Sequence, residues 1–297
     1  MICIVSHDAG GAEILASYVA QQGLECRFVL AGPALKVFQR RLGTAKLSTL
    51  NQTIAGCDRL LCGTSWQSDL EWRAIGLARK AGIRVVAFLD HWVNYRERFI
   101  RNGVEHLPDE IWVGDEDAET LTREHFSNTP VQLVPNPYFI DIKRDLAAFE
   151  ARKPASKGAG KRVLFVCENI SEHALLQHGD ERYLGYTEFD AIEYFFKNIN
   201  GLGVAIETVV IRPHPSDSPG KNDCFVAEHS DIAQLSAGKP LLEEIVDSDL
   251  VVGCESMAMV VGLLAGRRVI SCIPPGGKAC ALPQDQIEVF QNLLINL

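Results

Sequence analysis

The stretch of this 297-residue chain richest in chemistry is Phe88-Leu89-Asp90-His91-Trp92-Val93-Asn94-Tyr95-Arg96-Glu97-Arg98-Phe99. An apolar run delivers a carboxylate, an imidazole and two aromatics in succession, with two arginines close behind. Asp90 beside a ring nitrogen of His91 would raise the basicity of the imidazole, and Trp92 and Tyr95 offer faces for a sugar or a base. The structural alternative is a segment whose aromatics pack between layers. A second pair, His7 and Asp8, stands where the apolar run Ile2–Ser6 gives way to Ala9-Gly10-Gly11. Paired glycines let the backbone come close to a ligand such as a nucleotide phosphate, and the helix they open favours anions at its N-terminus. The spacing is not G-x-G-x-x-G, which argues against a dinucleotide fingerprint. The alternative here is a tight turn with Asp8 as the helix cap. At strand ends, Asp90, His91, Asp8 and His7 are the candidates for a base acting on a hydroxyl.

The second half offers binding chemistry. Val209-Val210-Ile211-Arg212-Pro213-His214-Pro215-Ser216 ends an apolar run in a guanidinium and an imidazole, with prolines fixing the backbone between them. That pairing suits a diphosphate. Glu168, Asn169 and Ser171 leave another apolar run as nucleotide contacts or caps. In Gly253-Cys254-Glu255-Ser256, Ser256 and the free N–H groups of a new helix suit a phosphate, while the anionic Glu255 suits a hydroxyl pair of a ribose or sugar. Ser256 as a plain N-cap is the alternative. Lys278, in Pro274-Pro275-Gly276-Gly277-Lys278, adds positive charge near the phosphate. Gly63-Thr64-Ser65 reads first as a helix cap, Asp69 and Glu71 as dipole partners of that helix, and Gly114-Asp115-Glu116-Asp117 as caps rather than a metal site.

These residues need strands to carry them. Strand-like runs are Ile2–Ser6, Cys26–Ala31, Arg59–Cys62, Val85–Leu89, Glu110–Val113 and Gln132–Val134. Helical spacing falls between them at Glu13–Gln22, Leu35–Leu42, Trp66–Ala81 and Ala118–Glu124. Val134-Pro135-Asn136-Pro137, with two X-Pro bonds, predicts an extended crossing segment. A Lys, Pro, Ser, Ala and Gly run then reads as a linker. A second series follows: strands Arg162–Cys167, Glu207–Ile211, Leu250–Gly253 and Arg268–Ile273, and helices Glu188–Asn198, Pro240–Val246, Met257–Ala265 and Gln284–Leu294. Alternation of this kind predicts an α/β protein of two doubly wound, Rossmann-like domains with parallel sheets and a ligand cleft between their carboxyl edges. The boundaries are 1–145 for an acceptor domain, 146–161 for the linker and 162–297 for a nucleotide-binding domain.

Composition narrows the partners. Lys and Arg number 29 against 38 Asp and Glu, a net charge of −9, which disfavours nucleic acid. No apolar run approaches a membrane span, and Met-Ile-Cys-Ile-Val lacks the basic start of a signal peptide. Nine cysteines without a C-x-x-C pair read as buried thiols in a reducing cytoplasm, not as disulfides or a metal site. An oligomer is compatible with all of this.

Arg212-Pro213-His214-Pro215, followed some forty residues later by Gly253-Cys254-Glu255-Ser256, resembles the nucleotide half of the GT-B glycosyltransferases. The nearest groups are the bacterial sialyl- and polysialyltransferases and the CDP-glycerol polymer transferases, with the related UDP-N-acetylglucosamine 2-epimerase fold. The resemblance implies a GT-B fold in which His214 and Ser256 hold the donor's phosphates, with Arg212 and Glu255 beside them. It implies a transferase moving a sugar or sugar-like group from a CMP-, CDP- or UDP-linked donor to a hydroxyl acceptor, in surface polysaccharide or glycoconjugate synthesis. The nucleotide sugar would be a substrate, with neither cofactor nor metal required. A nucleotide-sugar epimerase or hydrolase on the same fold, and a non-catalytic nucleotide-binding module, are the alternatives. A Rossmann oxidoreductase is disfavoured, because Cys26–Ala31 runs into Gly32-Pro33 with no acidic residue for a ribose.

Overall fold

The apolar runs become strands because they are buried on both faces, which only a sheet covered by helices on each side provides. The computed structural model describes residues 1–43, 47–65, 68–153 and 160–295. The chain separates into an N-terminal unit, Met1–Asp141, and a C-terminal unit, Ile142–Leu297.

The N-terminal unit opens with β1 (Ile2–Ser6), α1 (Ala9–Gln22), β2 (Cys26–Leu30), α2 (Ala34–Leu42), α3 (Leu50–Ile54), β3 (Arg59–Cys62) and α4 (Leu70–Lys80). It continues with β4 (Arg84–Leu89), a hairpin of β5 (Ile100–Arg101) and β6 (Val104–Glu105), β7 (Glu110–Val113), α5 (Glu116–His125) and β8 (Val131–Leu133). A long helix, α6 (Pro137–Glu150), carries the chain across the boundary. The main sheet runs β2-β1-β3-β4-β7-β8, all parallel. Its strand order reverses between β1 and β3. Ile4, Leu15, Phe28, Phe38, Phe88 and Trp112 belong to one core beneath the helices.

The C-terminal unit repeats the plan with β9 (Lys161–Val166), α7 (Ile170–His178), α8 (Glu188–Lys197), β10 (Ile206–Arg212), α9 (Asp223–Glu228) and β11 (Ala233–Leu235). Then come α10 (Leu241–Asp247), β12 (Leu250–Gly253), α11 (Met257–Leu264), β13 (Arg268–Ser271), β14 (Ile287–Val289) and α12 (Phe290–Leu294). The sheet order β11-β10-β9-β12-β13-β14 is again all parallel, with its reversal between β9 and β12. Phe165, Phe195 and Phe290 meet in its core, with ring centroids 5.3 and 6.0 Å from Phe195. Two Rossmann-like domains are therefore present.

The structure departs from expectation in three places. Pro137 does not continue an extended crossing: it opens α6, a helix of 14 residues. Proline suits the first helical position, where no N–H partner is needed. Asn136 caps it, its Oδ1 accepting from the N–H of Tyr138 at 3.0 Å and of Phe139 at 3.3 Å. The start of the segment 146–161, where a short helix before the linker run was expected, belongs to this helix, and its residues 154–159 lie outside the described ones. Gln284–Leu294 is not one helix, because Ile287–Val289 pairs in parallel with β13 before α12 begins. Finally, the helix expected from Trp66 begins at Leu70; residues 66–67 are not described.

Asn136→Ala removes the cap and is expected to cost about 1 kcal/mol, read as a lower urea midpoint. Asn136→Asp should restore it. An unchanged midpoint in the alanine variant would show that the cap carries no stability.

Candidate functional site

In the N-terminal unit the candidate residues gather where β1, β3 and β4 end. Asp8 stands at the N-cap position of α1 but makes no cap hydrogen bond; its Oδ1 lies 2.7 Å from His7 Nδ1. The backbone N–H of His7 donates to Glu71 Oε1 at 2.6 Å. Glu71 is therefore more than a dipole partner on α4. It is 2% exposed, and burial pushes its pKa up to about 7. Its Oε2 finds no hydrogen-bond partner. The two glycines serve close approach. A Cβ on Gly11 would stand 3.3 Å from the Cα of Gly63, and one on Gly10 would stand 2.3 Å from Asp90 Oδ2. The turn after β1 can pack on the turn after β3 and on Asp90 only without side chains there.

Asp90 and His91 do not pair. The Asp90 carboxylate accepts from Arg98 Nη1 at 2.7 Å, and the same nitrogen donates to Thr64 Oγ1 at 2.9 Å. Arg98 is buried, and a buried guanidinium takes the nearest carboxylate in preference to a neutral ring. His91 Nδ1 instead accepts the backbone N–H of Trp92 at 3.0 Å. Burial lowers the His91 pKa, Asp90 opposing and Arg98 reinforcing the shift. Burial thus outweighs the basicity that Asp90 adds, and the Nδ1 lone pair of His91 is already taken by the Trp92 N–H. Trp92 and Tyr95 follow the structural alternative: both are buried. Trp92 Nε1 donates to Asp115, at 3.0 Å from Oδ1, and Tyr95 stacks on His125 with centroids 5.4 Å apart. Asp115 also caps α5, accepting from Ala118 N at 2.7 Å.

In the C-terminal unit the candidates lie at the ends of β9, β10 and β12. Arg212 is engaged inside the unit: its Nη1 donates to Glu244 Oε2 at 2.5 Å and to the Lys239 carbonyl at 2.8 Å. Part of the charge expected for a diphosphate is therefore already paired. Two backbone amides of the turn before α11 also have a partner. Glu168 reaches across from β9, its Oε1 accepting from Cys254 N at 2.8 Å and Glu255 N at 3.0 Å. Burial pushes Glu168 up to about 7 despite these donors. Ser256 caps α11 through Ala258 N at 3.2 Å, and Glu255 Oε2 accepts from Ala281 N at 3.2 Å. Lys278 is exposed on the loop after β13, where its backbone N–H donates to the Leu184 carbonyl at 2.9 Å.

His214 follows β10. Its backbone N–H donates to Asp217 Oδ2 at 2.8 Å, and its Nδ1 lies 2.7 Å from Ser216 Oγ. Burial lowers its pKa, with Asp217 opposing and His173 and Lys221 reinforcing. Asn169, at the end of β9, joins this loop through a hydrogen bond from Nδ2 to Ser216 Oγ at 3.1 Å. The structure thus brings His214 and Asn169 together, and Glu255 and Ser256 together with Glu168. In the N-terminal unit Glu71 and Arg98, and in the C-terminal unit Asp217, Lys221 and Glu244, join the candidates without having stood out as site residues in the sequence. The Asp217–Lys221 spacing of four residues carried a local signal.

No protein-family model matches this sequence, and a search of curated proteins gives no match. Among solved structures, the chain is similar to the UDP-GlcNAc 2-epimerase from Methanocaldococcus jannaschii, with a TM-score of 0.55 at 11% identity over 91% of this chain and 83% of that one. The wall teichoic acid polymerase TagF gives 0.49 at 11% identity, covering 91% of this chain and 69% of that one. The E. coli heptosyltransferase WaaC, with ADP-2-deoxy-2-fluoro heptose, gives 0.45 at 12%, covering 97% and 92%. The likeness to the epimerase is one of fold, and it defines a GT-B-like α/β architecture of two Rossmann-like domains. No helix among the described residues is long and apolar enough to cross a membrane.

Glu71 gives a direct test of the buried carboxyl. Its folded pKa of about 7 lies above the usual 4.5, so the folded state holds the extra proton and stability falls as pH rises between these values. Glu71→Gln keeps an acceptor for His7 and cannot ionise. It should exceed wild type by ~1–3 kcal/mol at pH 8 and converge with it near pH 5 in urea unfolding. Equal midpoints at both pH values would show that Glu71 is not destabilised by ionising.

Proposed function

We propose that this chain is a glycosyltransferase that moves a sugar or sugar-like group from a nucleotide-activated donor to a hydroxyl acceptor, in surface polysaccharide or glycoconjugate synthesis. The observation that supports this most is the placing of Asn169, His214, Glu255 and Ser256 on the carboxyl ends of β9, β10 and β12, beside the strand-order reversal of the second sheet. Ligands of open α/β sheets bind at that point. In this reading His214 and Ser256 hold the phosphates, and Glu255 takes a ribose or sugar hydroxyl. Lys278 and the Arg212 nitrogens not given to Glu244 add positive charge. Fixed donors aimed at the departing phosphate lower the barrier because they need no reorganisation as charge develops. In the N-terminal unit Asp90 and His91 are the first candidates for the base, and Asp8 with His7 the second. His91 is suited by burial that favours its neutral ring.

The donor class is read by thermal shift with CMP, CDP, UDP, GDP, ADP and NAD. A pyrimidine nucleotide at ~100 times its dissociation constant should stabilise the fold by about 2.7 kcal/mol. His214→Ala and Ser256→Ala should each weaken that nucleotide by roughly tenfold. A response to NAD alone would overturn the reading. For the base, His91→Ala and Asp90→Asn should each lower turnover by about 100-fold or more; full turnover in both would move the assignment to Asp8 and His7.

A second reading, a nucleotide-sugar epimerase or hydrolase, is supported by Glu71, a buried acid titrating near neutral pH beside His7. Mass analysis with the acceptor omitted separates the two. Conversion of the donor without acceptor would replace transfer by this second activity.

A further inference from the structure

The loop that carries His214 rests on a fully coordinated ammonium group. Lys221 Nζ lies 2.6 Å from Glu188 Oε1, 2.7 Å from Asp217 Oδ1 and 3.3 Å from Asn169 Oδ1. Its side chain is 15% exposed, and those of Glu188 and Asp217 are 4% and 1% exposed. An ammonium has three N–H donors and no acceptor, so three acceptors use it completely. Glu188 is itself held by Ser171, whose N–H and Oγ each donate to it at 2.9 Å.

This donor-only group sets the direction of everything above it. Asn169 must turn Oδ1 toward Lys221, which leaves its two amide protons on the other side. One goes to the Glu172 carboxylate and the other to Ser216 Oγ at 3.1 Å. A carboxylate only accepts, so both ends of the amide agree on its orientation. Ser216 Oγ, accepting from Asn169, keeps its own proton for His214 Nδ1 at 2.7 Å. The backbone N–H of Ser216 points at the same ring nitrogen at 3.2 Å. Two donors converge on Nδ1, which must therefore present a lone pair.

We propose that Lys221, Asn169 and Ser216 form a one-way hydrogen-bond chain that holds His214 as the neutral imidazole with its proton on Nε2. These three are positioning residues. They make His214 a hydrogen-bond donor at its outer nitrogen instead of a base, the property a ligand of phosphate oxygens needs. That functional use rests on the nucleotide reading above; the tautomer itself does not. The charged groups around the ring are Asp217 and Glu172, which favour protonation, and His173 and Lys221, which oppose it together with burial.

The test is two-bond proton–nitrogen correlation NMR of the imidazoles in the intact chain at pH 8, with His214→Gln assigning the resonance. Wild type should show Nε2–H over Nδ1–H by about tenfold or more, as expected for two donors at ~1 kcal/mol each. Asn169→Asp replaces the donor facing Ser216 with an acceptor, so the hydroxyl turns away from His214. Nδ1–H should then become the major form and the titration midpoint should rise. Ser216→Ala leaves only the backbone donor and should cut the preference roughly fivefold, which decides the matter if the aspartate variant does not fold. Nδ1–H or imidazolium in wild type would overturn the proposal. So would an unchanged tautomer ratio in a variant whose backbone amide spectrum shows it folded. Adding CDP or UDP to the same sample separates the two ideas. A moved Nε2 resonance supports the phosphate role, and an unmoved one with the expected tautomer removes that role while the chain stands.

Discussion

Parallel pairing is the constraint on which everything else in each unit depends. A parallel strand must be followed by a crossover, so every strand of a sheet leaves it at the same edge. The central strands, β1 and β9, are hydrogen-bonded on both sides and apolar on both faces. Past the exposed Lys161-Arg162 at the entry of β9, polar side chains appear where these strands leave the sheet, and there they arrive together. Ser6-His7-Asp8 and Cys167-Glu168-Asn169 are the two exits. At each exit backbone N–H groups lose their ladder partners and must find others. Both units answer with a carboxylate held near neutral titration: Glu71 accepts from His7, and Glu168 from Cys254 and Glu255. In each unit, the edge where the central strand ends therefore carries one acid whose burial pushes it up to about 7.

Cations paired with buried carboxylates share a second pattern. Arg98 meets Asp90, Arg212 meets Glu244, and Lys221 meets Asp217 and Glu188. Such pairs contribute little net stability, since desolvation offsets most of the attraction. Their value is geometric. Arg98 is fixed by Asp90, Thr64 and the Val93 carbonyl at once, which ties the end of β4 to the turn after β3. Lys221 fixes the loop after β10 in the same way. In both places the side chains first read as chemistry, Asp90 and His214, are set by a cation seven or eight residues away in the chain.

That separation explains what could be read in the sequence. Strands β1, β3, β7 and β12 have the boundaries their apolar runs suggest, because burial on both faces leaves a continuous signal of matching length. The three-residue edge strands β11 and β14 leave almost none; Leu235 and Val289 remain exposed in them. Helix α7 was hidden for a related reason, since Leu175 and Leu176 point outward and blur its apolar stripe. The Pro135–Pro137 pair misled because proline serves extended chain and first helical turn equally, and only the Asn136 cap decides between them. At the site, residue types at strand ends were legible, whereas partners were not. That Asp90 would take Arg98 and leave His91 to a backbone N–H follows from burial of the guanidinium, which no spacing rule encodes.

The charge around the C-terminal candidates bears on the binding proposed for them. Lys221 is used up by two carboxylates and an amide oxygen, and Arg212 is joined to Glu244. Glu168, Glu172 and Glu255 add anions close by. A surplus of positive charge is therefore not what would draw a phosphate here, and long-range attraction contributes little. On the nucleotide reading proposed above, selectivity would come from directed donors: the outer nitrogen of His214 and the Ser256 hydroxyl. Directed donors discriminate by geometry, so a site of this kind depends more on the tautomer and orientation of one imidazole than on the number of basic residues around it. On that proposal, a histidine whose inner nitrogen already accepts from Ser216 presents a single directed N–H at its outer nitrogen.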